Sequence, residues 1–236
     1  MLILGVDTAA KTASAAVWDS DGGKILCEMR SGGIGKISHS ENLMPIIDHT
    51  LKCAGAGLSD IDLFAVSQGP GSFTGIRIGI ATIKGLSFGT DKNNCIGISS
   101  LYMLAYNFYG FLGDILILPV IDARRRQVYN AVLDGGLKYI KNDRMITTAG
   151  LELELNRGFS GRKIVFLGDG ADMCYGEINF EGKTEIPDML KYPSPASLCR
   201  AAYEKYKAGG AVHPRALAPS YLIKTQAERE YTEKNK

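Results

Sequence analysis

Hydrophobic and polar positions follow two different periods along this chain, and the switches between them mark the predicted elements. Short apolar runs bounded by Gly, Asp or Asn predict strands, whereas apolar residues three and four apart predict helices. The first half is predicted to hold the strands Met1–Val6, Ser14–Asp19, Lys24–Arg30, Phe64–Val66 and Cys95–Ile98, and the helices Ser40–Cys53, Phe73–Phe88 and Ser100–Tyr109. This order, βββαβαβα, indicates a mixed sheet with helices on its faces.

The second half of the chain repeats the start of the first. An apolar run ends in Asp122 as the first run ends in Asp7, and a second Asp follows twelve residues later in each copy, Asp19 and Asp134. A glycine pair and a third strand come next in both copies. The repeat predicts two copies of one α/β lobe. The predicted lobes are residues 1–112 and 113–212, with 213–236 packing back on the first, and the second lobe adds strands Leu137–Lys141 and Lys163–Leu167 and helix Ser197–Lys207.

Composition narrows the class of protein. The net charge of +2 is too small to indicate nucleic-acid binding by itself, and the basic run Arg124–Arg126 is typical of a solvated turn. Five scattered cysteines without a CxxC pair fit reduced thiols and provide no zinc or disulfide framework. The chain starts on a strand-like run, and it lacks an apolar stretch of ~18 residues. We therefore expect a cytoplasmic protein without a membrane span.

The two Asp residues that end the first strand of each lobe suggest a nucleotide site. Two similar lobes of this kind resemble the actin, Hsp70 and sugar-kinase superfamily, in which the paired hairpins hold nucleotide phosphates. The resemblance implies a vestigial nucleotide-binding site made of Asp7, Thr8, Asp122, Gly168 and Gly170. The turn from Thr8 to Lys11 lacks the glycine that such hairpins favour, and the Gly168–Gly170 turn is short. Strand capping therefore explains Asp7 and Asp122 slightly better than phosphate binding, and no cofactor is predicted.

The helix predicted from Ser40 carries histidines that do not form a metal pair. His39 and His49 are ten residues apart, so on a helix they would lie about 80° apart around the axis and roughly 15 Å apart along it. A metal pair needs a second ligand three or four residues away, and the residue four after His39 is Leu43. Ser38 and Glu41 fit a capping box for this helix. No metal site is predicted.

The glycine-rich segment after Ser67 matches neither the Walker loop nor the dinucleotide fingerprint. Instead, a turn leads from a strand into a helix with Ser72 as the N-cap. Gly75 and Gly79 lie one turn apart on that helix, beside an apolar stripe of Ile76, Ile80 and Ile83. Missing side chains let another backbone approach closely. That backbone could belong to a second chain or to the chain's own sheet, and the spacing slightly favours a second chain.

Several segments together resemble the TsaB family, the bacterial proteins required to form threonylcarbamoyladenosine at adenosine 37 of tRNAs that read codons beginning with A. They are LGVDTA, HSENLMPII, SQGPGSFTGIRIG, VIDARRRQVYNAVL and LAPSYL, of which GPGSFTGIRIG is the most specific. The resemblance spans most of the chain and is weakest over residues 142–161 and the last dozen residues. It implies two ribonuclease-H-like lobes of the actin/Hsp70/sugar-kinase type.

The same resemblance implies a role and a surface. The family members are non-catalytic subunits that bind the threonylcarbamoyl transferase TsaD, with the ATPase TsaE joining, and they pair with themselves in isolation. TsaD carries a metal-binding HxxxH, of which this chain has His39 but Leu43 in the second position. The two helices that begin near Ser40 and Ser72 would form the interface. The implied interface residues are Ser40, Leu43, Met44, Ile47, Ser72, Thr74, Gly75, Ile76, Gly79, Ile80 and Ile83.

Two other functions compete with this one. An ATP-dependent phosphotransferase or ATPase would use Asp7 and Asp122 near magnesium and phosphate. A metallopeptidase would need a metal cluster that His39, His49 and His213 do not supply. Arg124–Arg126 and the basic residues of the tail could contact tRNA phosphates. Ordinary exposure to solvent explains these charged residues equally well.

Overall fold

A computed structural model describes residues 1–10, 12–31, 39–90, 92–111 and 113–222, without the side chains of residues 39 and 40. The predicted capping box of Ser38 and the tail from residue 223 onward lie outside the described residues, as does Lys11. Within the described ranges, no helix combines the length and the hydropathy that crossing a bilayer requires.

In its described residues, the first lobe contains a five-stranded sheet and three α-helices. Its elements are β1 Leu2–Asp7, β2 Ala13–Asp19, β3 Lys24–Ser31, α1 His39–Ala54, β4 Ile61–Ser67, α2 Phe73–Phe88, β5 Cys95–Ile98 and α3 Ser100–Ala105. The strands lie in the order β3-β2-β1-β4-β5. Strands β1 to β3 are antiparallel neighbours, and β4 and β5 run parallel to β1. All eight predicted elements are therefore confirmed, although α3 is shorter than predicted because a 3₁₀ turn, Tyr106–Phe108, follows it.

The second sheet repeats this arrangement. The elements of this half are β6 Ile115–Asp122, β7 Gln127–Leu133, β8 Tyr139–Thr147, α4 Thr148–Gly158, β9 Lys163–Leu167, α5 Ala171–Glu177, α6 Asp188–Lys191 and α7 Pro195–Lys207. The strands lie in the order β8-β7-β6-β9. Strands β6 to β8 are again antiparallel neighbours, and β9 is parallel to β6 as β4 is to β1. The predicted fold, two duplicated ribonuclease-H-like lobes, is confirmed by this matched strand order.

Helices α3 and α7 lie in a core that both sheets share, which includes Trp18, Leu104, Leu133 and Leu167. Helix α7 approaches β1 so closely that a Cβ on Gly5 would lie 2.5 Å from the Cys199 sulfur. The predicted division at residues 112 and 113 would assign α7 to the second lobe, yet α7 packs on the first sheet. That division stays a prediction.

The segment after α7 also lies on the first lobe. The backbone N–H of Cys95 donates to the Val212 carbonyl at 2.9 Å, and the N–H of Ser220 donates to the Gln68 carbonyl at 2.7 Å. Leu217 is buried in the core beneath α1 and α2. The described part of residues 213–236 therefore packs against the residue that follows β4 and against the side of α2.

A carboxylate on β8 joins the two lobes. The Ser99 hydroxyl, which caps α3, donates to Asp143 Oδ2 at 2.5 Å. Burial raises the pKa of the Asp143 carboxyl, and the hydrogen bonds from Ser99 and Tyr139 only partly oppose this shift. The folded chain therefore favours the protonated form of Asp143 more than the unfolded chain does.

Because an acid with a raised pKa destabilises the fold when it is ionised, Asp143→Asn should raise the free energy of unfolding at pH 7. The part of this difference that depends on pH should shrink as the pH falls and vanish below about pH 3, where the carboxyl is protonated in both states. Urea unfolding of both chains across this pH range measures it. A difference that does not change with pH would contradict the assignment to ionisation.

Candidate functional site

The glycine face of α2 packs against the turn that follows β1. A Cβ added to Gly75 would lie within 3.0 Å of the Thr8 carbonyl oxygen, and one on Gly71 would lie 2.5 Å from the Ala9 carbonyl oxygen. A Cβ on Gly79 would meet the Thr8 hydroxyl just as closely. Two hydrogen bonds fix this contact: the Thr8 hydroxyl donates to the Gly75 carbonyl at 2.7 Å, and the Ser72 N–H donates to the Ala9 carbonyl at 2.8 Å.

The interpretation that these glycines clear room for a second chain is therefore wrong. The turn at Thr8 and Ala9 already fills the space that Gly75 and Gly79 leave. The neighbouring apolar residues of both helices are also buried within the chain, at most 5% exposed, so another subunit has no access to them. The predicted interface residues that this corrects are Leu43, Ile47, Gly75, Ile76, Gly79, Ile80 and Ile83.

The predicted nucleotide residues of the first lobe serve the same turn. Asp7 Oδ1 accepts hydrogen bonds from the Ala9 N–H at 3.0 Å and from the Ser67 hydroxyl. Asp7 and Thr8 are both fully buried. The hydrogen bonds of Asp7 and Thr8 fix the chain at the end of β1 and attach it to α2. This is the strand-capping role that the sequence favoured.

The predicted nucleotide residues of the second lobe form a matching turn. The exposed Asp122 accepts from the Arg124 N–H at 2.7 Å, and its own N–H donates to Asp169 Oδ1 at 3.0 Å. Gly168 has a φ of +101°, and a Cβ there would collide with the Val120 carbonyl oxygen. A Cβ on Gly170 would lie 3.2 Å from the Asp122 nitrogen. The turn from Gly168 to Gly170 thus closes onto the end of β6.

A cleft of about 600 Å³ separates the two turns. Asp7 and Gly168 line it, so the structure brings these two predicted residues together. Asp169, Asp172 and Arg30 line it as well. Carboxylates repel an unneutralised polyphosphate. Nucleotide binding by this set stays a prediction.

The position that would complete a metal-binding HxxxH lies in the core. Leu43 is 1% exposed and packs with Ile47 and Ile76 beneath α1 and α2. Within the described ranges, no three His, Cys, Asp or Glu side chains lie close enough together to hold a metal ion.

The outer surface of α2 carries a cluster that the sequence did not reveal. The Phe73 and Tyr221 rings stack with centroids 5.2 Å apart, and the Arg77 guanidinium carbon lies 3.8 Å from the Phe73 centroid. Arg77 Nε also donates to the Tyr221 hydroxyl at 2.8 Å. We call these three residues the aromatic clamp. The helical spacing of Phe73 and Arg77 was a usable signal, whereas nothing in the sequence places Tyr221 beside them.

Other predicted interface residues lie near the clamp at the surface. Ser72 and Thr74 are exposed in the first turn of α2. Met44, on the outer side of the adjoining α1, is 49% exposed. The Ser40 side chain falls outside the described residues. Among the predicted interface residues whose side chains the structure describes, Met44, Ser72 and Thr74 are therefore the exposed ones.

The basic run predicted as a solvated turn forms the tip of the β6–β7 hairpin. All three arginines are exposed and left-handed, with φ of 66°, 54° and 56° for Arg124, Arg125 and Arg126. Arg126 Nε lies 3.7 Å from a carboxylate oxygen of Glu177.

Comparison with known proteins gives sequence and fold relatives. A sequence profile described as "TsaD: tRNA N6-adenosine threonylcarbamoyltransferase" matches residues 31–231. The Bacillus subtilis (strain 168) protein named tRNA threonylcarbamoyladenosine biosynthesis protein TsaB is 31% identical over the whole of both chains. The Escherichia coli (strain K12) protein of that name is 35% identical over 55% of this chain and 53% of its own, so this match spans about half of that protein.

A solved structure agrees with the fold. The structure titled "YeaZ from Pseudomonas aeruginosa" superposes with a TM-score of 0.75, covering 94% of this chain and 99% of that one at 23% identity. At this identity the superposition establishes the shared two-lobed architecture.

Proposed function

Because this chain belongs to the TsaB family of tRNA threonylcarbamoyladenosine biosynthesis proteins, we propose that it is a non-catalytic subunit. Its proposed partner is the transferase TsaD. TsaE would join this assembly, and threonylcarbamoyladenosine would form at adenosine 37 of tRNAs that read codons beginning with A. The chain would act in the cytoplasm, and tRNA contact would come indirectly, through its partner.

The observation that carries the non-catalytic role is the position of Leu43. The resemblance to TsaD implies that the second histidine of its HxxxH motif would stand at Leu43, and here the Leu43 side chain is buried in the core at 1% exposure. A polar imidazole at this place would lose its hydration without reaching a surface where substrate could bind. The position therefore supports packing rather than metal ligation.

The surface proposed for TsaD is the outer side of α1 and α2. Interface hot spots are enriched in aromatic residues and arginine, and the aromatic clamp supplies Phe73, Arg77 and Tyr221. The clamp is fixed by stacking and by the hydrogen bond from Arg77 to Tyr221, so few rotamers would be lost on binding. We propose that the same surface pairs two copies of the chain when TsaD is absent.

Reconstitution tests the role directly. Purified TsaD and TsaE from the same organism are mixed with this chain, ATP, threonylcarbamoyl-adenylate and tRNA, and each component is omitted in turn. We expect nucleoside analysis to detect threonylcarbamoyladenosine in the complete mixture and none when this chain or TsaD is left out. Modification of tRNA by this chain in the absence of TsaD would overturn the proposal.

A further inference from the structure

Strand β3 and helix α1 lie side by side and run in opposite directions. Near one end, the Asn42 amide donates to the Ser31 hydroxyl at 3.3 Å. From this contact, Cys53 is eleven residues along the helix, roughly 16 Å at 1.5 Å per residue. Cys27 is four residues back along the strand, roughly 13 Å at 3.3 Å per residue. The two cysteines therefore reach nearly the same level of the molecule.

Both cysteines also face the same layer. Cys27 pairs across the sheet with Val17, which packs with Leu43 and Ile47 of α1, so the Cys27 side chain lies on the helix side of β3. The Cys27 thiol is half-buried, and Cys53 is exposed in the last turn of α1. Burial raises the pKa of the Cys27 thiol, and the Cys53 thiol raises it further through a hydrogen bond and through charge. The two thiols therefore lie within hydrogen-bonding reach of each other.

We propose that Cys27 and Cys53 form a reversible disulfide by exchange with a low-molecular-weight disulfide such as glutathione disulfide. The Cys53 thiolate, having lost its proton to solvent, attacks one sulfur of glutathione disulfide and displaces one glutathione thiolate. The Cys27 thiolate then attacks the Cys53 sulfur of the mixed disulfide and displaces the second glutathione thiolate. Two cysteine thiols are oxidised by two electrons, and one glutathione disulfide is reduced to two glutathione molecules.

The remaining cysteines do not compete for this exchange. Cys95, Cys174 and Cys199 are fully buried, at 0% exposure. Burial also raises the pKa of Cys174 to about 12, which leaves very little of the reactive thiolate at neutral pH. The exchange is therefore confined to the pair between β3 and α1. It would tie the end of α1 to an edge strand of the sheet, and it does not depend on the proposed role in tRNA modification.

The test uses the full chain, first reduced and then equilibrated with glutathione disulfide. Free thiols are blocked with an alkylating reagent, and a digest without reductant is analysed by mass spectrometry. We expect one linked peptide that joins Cys27 to Cys53, while the three buried cysteines are recovered unoxidised. The crosslink closes the loop from residue 27 to residue 53, so the oxidised chain should melt about 5 °C or more above the reduced chain.

Cys27→Ser and Cys53→Ser are the matched controls. Without Cys27, Cys53 should accumulate as the glutathione mixed disulfide, a species that should be at least about tenfold scarcer in the native chain because the second step is intramolecular. Without Cys53, Cys27 should stay largely reduced under the same conditions. Accumulation of the mixed disulfide on native Cys53, or a disulfide between two chains through Cys53, would overturn the proposal.

Discussion

Gly75→Ala should lower the free energy of unfolding by about 3 kcal/mol or more, although alanine is ordinarily the better helix residue. The added Cβ would meet the Thr8 carbonyl oxygen, a main-chain atom of a fully buried residue, which has no rotamer through which to move aside. Relief would require α2 to shift and would break the hydrogen bond from the Thr8 hydroxyl to the Gly75 carbonyl. Urea unfolding followed by circular dichroism measures the loss.

Gly85→Ala is the matched control, because Gly85 belongs to the same helix and a Cβ there would meet nothing within 4 Å. This variant should gain roughly 0.5–1 kcal/mol, the ordinary helix preference for alanine. Gly79→Ala should fall between the two, since the nearest atom there is a side-chain hydroxyl, Thr8 Oγ1. Equal stability of the Gly75 and Gly85 variants would contradict the packing described for α2.

Local patterns were enough to predict most of the elements. Strands such as β9, bounded by polar residues and a glycine turn, stand out because burial on both faces requires a continuous apolar run. The N-cap of α2 was also predictable, since the Ser72 hydroxyl accepts from the Gly75 N–H at 3.2 Å. The repeat of strand, Asp, turn and strand predicted the duplication because each lobe needs the same hairpin to begin its sheet.

Errors arose where the determining contact is distant in sequence. Helical spacing of Gly75 and Gly79 shows that a backbone comes close, but it does not identify the backbone, and Thr8 is 67 residues from Gly75. Helix α4 was not predicted; its LELEL segment alternates as a strand does, whereas the Thr147 cap and the burial of Leu151 and Leu155 fix a helix. Strand β8 begins later than predicted because Leu137 has a φ of 62° and belongs to the turn.

Phe73→Ala should weaken binding to TsaD by about 30-fold to 1,000-fold, the range that corresponds to roughly 2–4 kcal/mol for an interface hot spot. The side chain is 44% exposed, so its removal should leave the fold nearly unchanged. It is also the ring on which Arg77 and Tyr221 are arranged, so its loss would release both of its neighbours. Calorimetric titration of TsaD into each purified variant measures the affinity.

Leu153→Ala is the control for lost apolar surface, because Leu153 is 51% exposed on α4 of the other lobe. It should bind TsaD as the native chain does.

Arg77→Lys separates charge from shape: lysine keeps the positive charge but loses the planar guanidinium that lies on Phe73, so a partial loss of affinity is expected. If the Phe73 variant is folded and binds TsaD with native affinity, TsaD contacts a different surface of this chain. A reconstitution in which this chain is not needed would instead contradict the proposed function itself.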